Sequence, residues 1–293
     1  VFPVGGLGTR FLPATKSMPK EMLPVASKPL IQHAFEEAVN AGIEQFIFIT
    51  GRNKNAIINH FDHAFELEYN LSEKEKETAL ELTRGWLPKP GNLVFIRQQQ
   101  PLGLGHAIWC ARHLIKDEYF AILLADDLFI NSSGSGVLDE MINAHQTSQT
   151  NLIGVGTVPA QDVYNYGIVE YKDTNNPRLL SITGMIEKPS VGQTKSNQAI
   201  MGRYILHSSI FEHIEETPAG RNGEVQLTDA MVSLLASGTD SHSSFHGHKI
   251  LSKRLDCGTP IGFLEANMLF ALHDSSIKSE VSTMLKQLGE AYT

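Results

Sequence analysis

The stretch Val1-Phe-Pro-Val-Gly-Gly-Leu-Gly-Thr-Arg-Phe-Leu-Pro-Ala-Thr-Lys16 decides how the rest of this chain is read. Val1 to Val4 have the apolar character of a buried strand, and the loop after them carries Gly5, Gly6 and Gly8, then Thr9, Arg10 and Lys16. Glycines without side chains let backbone N–H groups approach an anion closely, and Arg10 and Lys16 can neutralise phosphate charge. The loop is not a P-loop, because no Gly-Lys-Ser/Thr closes it. Nor is it a dinucleotide fingerprint, since Phe11 stands where the third glycine belongs and Pro13 discourages an immediate helix. Glycines alone would equally suit a tight turn. The continuation Ser17-Met-Pro-Lys-Glu-Met-Leu-Pro24 favours a phosphate site, because Lys20 joins the two earlier cations and the prolines shape the loop that gathers them. A triphosphate could use all three.

Working outward, short β-rich runs alternate with helical periodicity for about 125 residues, the pattern of a mainly parallel sheet flanked by helices. Helices are expected at Leu30–Ala41, about Asn53–Phe61, Ser72–Arg84 and within Gly103–Leu114, and strands at Gln45–Thr50, Asn92–Gln98 and Tyr119–Ala125. The last of these runs ends abruptly in Asp126-Asp127, at the carboxyl end of a strand, where open α/β sheets bind ligands. Beyond Asn131 a helix is expected at about Ser135–His145, then β runs near Leu152–Val158, Gly167–Tyr171, Leu179–Glu187 and Ala199–Leu206. Helices close the chain at Glu224–Ala236, Pro260–Leu272 and from Ser275 onward. We read one α/β domain over 1–293: a nucleotide-binding half (1–130), a β-rich substrate half (131–260) and C-terminal helices (261–293). The sheet is expected to be mixed and mainly parallel.

Composition narrows the function. Hydrophobic residues make up 42% and charged residues 19%, so the chain is globular. With 24 Lys+Arg against 32 Asp+Glu the net charge is −8, which argues against nucleic acid as a partner and for local cation clusters on any anionic substrate. Cys110 and Cys257 are too few and too far apart for a disulfide framework or a zinc site. No apolar run is long enough to span a membrane and no signal peptide is visible, so a cytoplasmic protein is expected.

The loop and its continuation resemble the nucleotide-binding signature of bacterial sugar-1-phosphate nucleotidylyltransferases. The resemblance recurs in order: Gln98 with Gly103-Leu-Gly-His-Ala107, Leu124-Ala-Asp-Asp127, Tyr166-Gly-Ile-Val169, Glu187-Lys-Pro189, Asn197 with Gly202-Arg-Tyr204, Gly223-Glu-Val-Gln-Leu-Thr-Asp229 and Leu255-Asp-Cys-Gly-Thr-Pro260. It covers nearly the whole chain, with small-residue departures at Gly5 and Ala125. It implies a Rossmann-like nucleotidyltransferase fold and, from the Pro-Lys-Glu-Met-Leu continuation, the uridylyl branch, with UTP and glucose 1-phosphate as substrates and Mg2+ as cofactor.

Residue by residue, it implies that Val4, Gly5, Gly6, Gly8, Thr9, Arg10, Lys16, Lys20, Gln98 and Gly103 bind the nucleotide. Asp127, Gly167, Glu187, Lys188 and Asn197 would bind the sugar phosphate, and Asp126 and Asp256 would hold the metal. Arg10, Lys20, Asp126 and Lys188 would carry catalysis, and a homo-oligomer, dimer or tetramer, is implied. Read without the family, Glu187-Lys188 would be a surface pair sent to opposite sides of a strand unless Pro189 distorts it. His106 is a weaker candidate acid or base, and His242, His246 and His248 have poor metal-ligand spacing. The competing readings are a thymidylyltransferase or other sugar specificity, a catalytically silent sugar-nucleotide scaffold, and a nicotinamide oxidoreductase, the last disfavoured by the missing third glycine.

Overall fold

A computed structural model describes residues 1–130, 134, 136–220, 223–238 and 241–292. In chain order the elements are β1 (Phe2–Pro3), β2 (Pro24–Val25), β3 (Lys28–Pro29), α1 (Leu30–Asn40), β4 (Phe46–Thr50), α2 (Asn55–His60), α3 (Phe65–Glu73), α4 (Glu77–Arg84), β5 (Leu93–Arg97), α5 (Leu104–Trp109), β6 (Tyr119–Leu123) and β7 (Asp127–Ile130). Then come α6 (Val137–Ser148), β8 (Asn151–Thr157), β9 (Gly167–Asp173), β10 (Leu179–Glu187), β11 (Gln198–His207), α7 (Ile210–Glu216), α8 (Leu227–Ser237), β12 (Phe245–Lys249), β13 (Lys253–Asp256), α9 (Pro260–His273) and α10 (Lys278–Tyr292).

β4 shows why the first half is parallel and doubly covered. All five of its residues are buried. Phe46 and Phe48 pack with Phe35 of α1, Ile57 of α2 and Met141 of α6, while Ile47 and Ile49 pack on Ala107 and Ala111 on the other face. Alternation thus feeds two apolar layers, and a strand covered on both faces has no polar side to offer. β4 lies between β1 and β5, parallel to both. Backbone bonds from Val1 N to the Ala121 carbonyl (2.7 Å) and from Leu123 N to the Val1 carbonyl (3.0 Å) tie β1 to β6. From β6 the order continues β11, β8, β12, β10, β9, with antiparallel pairing everywhere except β12 on β8. The mixed sheet is therefore parallel on the side of the glycine loop and mostly antiparallel in the β-rich half.

Two details set up the site. The short ribbon of β7 and β13 pairs Asp127 opposite Asp256, across nearly 130 residues of chain. In β11 the register with β8 shifts between Ile200 and Tyr204, and Gly202 in that bulge has φ +66°. A Cβ on Gly202 would sit 2.2 Å from Asp127 Oδ2, so glycine there makes room for that carboxylate.

Some expectations need correction. The helix expected over Ser72–Arg84 is two helices: α3 ends at Glu73, and Glu75 breaks the run with φ +53°. Ser135, expected to start a helix, lies outside the described residues; α6 runs from Val137 to Ser148. The strands β7 and β13 and the helix α7 have no counterpart in the sequence reading. Pro260 does open α9, with Thr259 Oγ1 accepting from Gly262 N at 3.2 Å.

Beside the glycine loop, Lys54 Nζ lies 2.6 Å from Glu21 Oε2, both side chains almost wholly buried. Burial pushes the Glu21 carboxyl up and the Lys54 ammonium down in pKa, each opposed by its partner. Removing one partner strands a buried charge, so Lys54→Met is expected to destabilise the fold by about 3–5 kcal/mol in urea unfolding. The double variant Lys54→Met/Glu21→Leu is expected to recover most of that loss; a Lys54→Met protein as stable as the parent would show that the pair carries no such penalty.

Candidate active site

Two cavities adjoin at Leu104, which lines both. The first is lined by Gly5, Gly6, Gly8 and Thr9 from the glycine loop and by Gln98, Pro101 and Gly103. The loop after β1 turns at Gly8, which has φ +65° and whose carbonyl accepts from Thr15 Oγ1 at 2.7 Å. Gln98, just past β5, is buried, and its Oε1 lies 3.1 Å from where a Cβ on Gly5 would stand. Alanine at Gly5 would press on that amide, so one of the two would have to give by a few tenths of an ångström. Gly103 has φ +97°, and a Cβ there would strike Glu224 and the Val225 backbone. The strand-to-helix turn therefore packs directly on the segment before α8.

The second cavity is ringed by charge: Arg10, Asp126, Asp127, Glu187, Lys188, Arg254 and Asp256, together with Tyr166, Gly167, Tyr204 and Thr228. Lys20 Nζ reaches Asp126 Oδ2 at 2.6 Å. Burial would raise the Asp126 carboxyl, but the Lys20 ammonium outweighs it and holds the group below the usual carboxylate range. Asp256 Oδ1 accepts from Gly258 N at 3.0 Å, and Arg10 Nη1 donates to the Gly258 carbonyl at 3.4 Å. A Cβ on Gly258 would lie 3.0 Å from Asp256 Oδ1 and 3.2 Å from Asp126 Oδ2, so the two carboxylates share one small space in front of that glycine.

Asp127 faces inward. Its Oδ1 accepts from Arg254 Nε at 2.6 Å and lies 2.5 Å from Nη2, while Oδ2 fills the gap left at Gly202. Burial pushes its carboxyl up to about 6, with Arg254 pulling the other way and Asp126 adding to the rise. Behind it, fully buried Arg203 donates to both Glu37 oxygens at 3.1 and 2.7 Å and to the carbonyls of Leu124 and Asp127, each at 2.9 Å. Backbone oxygens and one carboxylate thus lock the turn that carries Asp126 and Asp127.

In the same cavity β10 ends at Glu187, and Lys188 takes a left-handed conformation, φ +46°, with its N–H donating to the Tyr166 carbonyl at 3.0 Å. That turn defeats the strand's alternation. Both side chains enter the same cavity, Lys188 Nζ 3.5 Å from Glu187 Oε1, and Thr228 Oγ1 donates to Glu187 Oε2 at 2.7 Å. A Cβ on Gly167 would stand 3.0 Å from Glu187 Oε2, so glycine leaves that carboxylate its room. Burial pushes the nearby Cys257 thiol up to about 12, with the surrounding carboxylates adding, which keeps it protonated and inert as a nucleophile.

Of the residues singled out from the sequence, Arg10, Asp126, Asp127, Gly167, Glu187, Lys188 and Asp256 share one cavity, with Lys20 on Asp126. Gly5, Gly6, Gly8, Thr9, Gln98 and Gly103 share the other. Val4 is buried with its N–H donating to Ile49 O at 2.9 Å, Lys16 is exposed, and Asn197 stands before β11 with its carbonyl accepting from Val158 N; none of the three lines either cavity. Asn165 lines the charged cavity instead.

Sequence reasoning missed Arg254 and Thr228. Arg254 was legible as the residue two before Asp256, hence on the same face of a strand. Thr228 lay inside the block Gly223–Asp229 without an assigned task. His242, His246 and His248 do not converge: they meet Tyr119, Thr150 and Arg178 respectively. Among the described residues no group of three or more His, Cys, Asp or Glu could hold a metal alone. Asp126 and Asp256 offer hard oxygen donors suited to a divalent ion that takes its remaining ligands from substrate phosphates and water.

The nucleotidyl transferase family model matches residues 3–272. A UTP–glucose-1-phosphate uridylyltransferase of Staphylococcus saprophyticus is 42% identical over 290 residues, 99% of this chain and 98% of that protein. The UTP-bound UGPase of Acinetobacter baumannii superposes with a TM-score of 0.89 at 39% identity, over 98% of each chain. A UDP-glucose pyrophosphorylase complexed with UDP-glucose gives 0.83 at 38% identity, over 93% of this chain and 98% of that one.

Proposed function

The chain belongs to the nucleotidyl transferase family, and from that premise we propose that it transfers UMP from UTP to glucose 1-phosphate, giving UDP-glucose and pyrophosphate. The observation that carries this reading is the adjoining of a glycine-lined cavity that includes Gln98 and a charged cavity that gathers Asp126, Asp256, Glu187 and Lys188. One accommodates a base and the start of a triphosphate, the other a sugar phosphate, and the reacting atoms meet between them.

A phosphate oxygen of glucose 1-phosphate attacks the α-phosphorus in line; the bond from that phosphorus to the bridging oxygen breaks, and pyrophosphate leaves with the electron pair. Two polyanions must be held together, so positioning and fixed charge supply most of the rate, and no covalent nucleophile is required. Arg10 and Lys20 take the triphosphate, and Lys188 takes the sugar phosphate. Glu187, held by Thr228, accepts hydrogen bonds from sugar hydroxyls. Arg254 neutralises Asp127, which keeps the floor of the site rigid without adding to the negative charge met by the substrates. Asp126 and Asp256 would hold Mg2+, which when bound offsets charge on the phosphate oxygens.

The reading carries with it a cytoplasmic setting, supported by two unpaired cysteines, and a homo-oligomer, which rests on the family resemblance alone. Among the described residues no helix is long and apolar enough to cross a membrane. No nucleic acid is expected as a partner. Pyrophosphate release with Mg2+ tests the function in a matrix of UTP and dTTP against glucose 1-phosphate and galactose 1-phosphate. Preferential turnover of UTP with glucose 1-phosphate is expected. Faster turnover of dTTP would shift the reading to the thymidylyl branch, and UTP binding without any turnover would favour a silent scaffold.

A further inference from the structure

Gln98 leaves β5 with its backbone N–H donating to the Thr50 carbonyl at 2.8 Å, and its amide lies on the floor of the glycine-lined cavity. A primary amide has two N–H donors and one carbonyl oxygen. Both donors are engaged: Nε2 lies 3.1 Å from the Gly103 carbonyl and 3.0 Å from His106 Nδ1. The Gly103 oxygen can only accept, so the amide nitrogen belongs on that side; the flipped amide would oppose two oxygens. His106 Nδ1 must then be the bare nitrogen of a neutral ring whose proton sits on Nε2. Burial and the charge of Arg112 both favour that neutral ring, which stacks on Trp109. What remains is Oε1, turned to the opposite side against Gly5.

We propose that His106 is a specificity-determining positioning residue: by accepting from Gln98 Nε2 it fixes the amide so that a bound base meets an acceptor only. This rests on the uridylyl-transfer reading and deepens it. Uracil presents an N3–H donor to that oxygen. Cytosine presents a lone pair at N3, so acceptor would face acceptor and both would be left unpaired away from water. Discrimination between UTP and CTP therefore depends on a residue that need not touch the nucleotide.

His106→Leu removes the acceptor and leaves one amide hydrogen unheld, while His106→Asn returns an amide oxygen near the place of Nδ1. For His106→Leu the KM for UTP is expected to rise about fivefold to tenfold, and the UTP-to-CTP ratio of kcat/KM to fall by a similar factor. The change in kcat should stay under about twofold, and His106→Asn should restore both quantities. Nitrogen NMR of the unaltered protein, labelled in histidine, should find His106 as the Nε2–H tautomer at neutral pH, a readout that survives if His106→Leu does not fold.

A His106→Leu enzyme with unchanged UTP affinity and unchanged discrimination, a loss confined to kcat, or an Nδ1–H tautomer would overturn the proposal. A parent protein that turns over no UTP would instead sink the uridylyl-transfer reading. In that case the tautomer would still report on the bond between Gln98 and His106.

Discussion

Asp126→Asn and Asp256→Asn are each expected to lower turnover by about a thousandfold or more at saturating UTP and glucose 1-phosphate, a loss of about 4 kcal/mol in transition-state stabilisation. Both substitutions preserve size, and neither should disturb the fold. The amide oxygen that Asp126→Asn leaves can still accept from Lys20, and the one that Asp256→Asn leaves can still accept from Gly258 N, as the two carboxylates do now. What disappears is negative charge in the small space in front of Gly258, where the proposed Mg2+ would sit. UTP binding measured without metal should change little or even strengthen for Asp126→Asn, because Lys20 loses its carboxylate partner and becomes free to meet a phosphate. The test is pyrophosphate release across a magnesium titration, with urea unfolding as the control for integrity. Near-parental, magnesium-dependent turnover in both variants would remove the metal assignment.

The place of Asp126 just after β6 was legible because its signal is local: an apolar run that stops at two carboxylates reads as a strand end. Its partnership with Asp256 was available through the family resemblance, but the physical cause, the pairing of β7 with β13, was not. Four-residue ribbons carry too little periodicity to stand out. Arg254 was missed for the same reason, although once β13 is recognised the alternation Arg254, Leu255, Asp256 assigns two charges to one face and a buried leucine to the other. α7, with seven residues, gives only two turns of pattern. The break between α3 and α4 carries no Gly or Pro; it is made by Glu75 in a left-handed conformation, which charge alternation through Ser72–Arg84 conceals. The glycine loop was legible as a cavity wall because glycine's constraint is steric and local. By contrast Val4, Lys16 and Asn197 stand off the cavities, since neighbours in sequence do not share a direction in space.

Lys188→Ala is expected to lower kcat/KM for glucose 1-phosphate by about a hundredfold to a thousandfold, as befits the loss of a charge-assisted contact to a dianion, while the KM for UTP moves no more than about threefold. The backbone permits a control that few lysines offer. Lys188 sits at φ +46°, a left-handed conformation whose Cβ cost lysine already bears, alanine bears equally and glycine does not. Lys188→Gly removes the same ammonium without that strain, so the two variants should agree in kinetics if charge is the cause. If Lys188→Gly were active and Lys188→Ala were not, the defect would lie in the turn that joins Glu187 to Pro189, held now by the bond from Lys188 N to the Tyr166 carbonyl. Glu187 supplies the second control. Its Oε2 is held by Thr228 and its Oε1 lies 3.5 Å from Lys188 Nζ, so removing the lysine leaves the carboxylate in place but less neutralised. The sugar phosphate would then approach uncompensated negative charge, and the defect should grow as ionic strength falls, because screening weakens. A loss that appears only in the UTP dependence would place Lys188 on the nucleotide side and reverse the proposed orientation of the two substrates across the cavity.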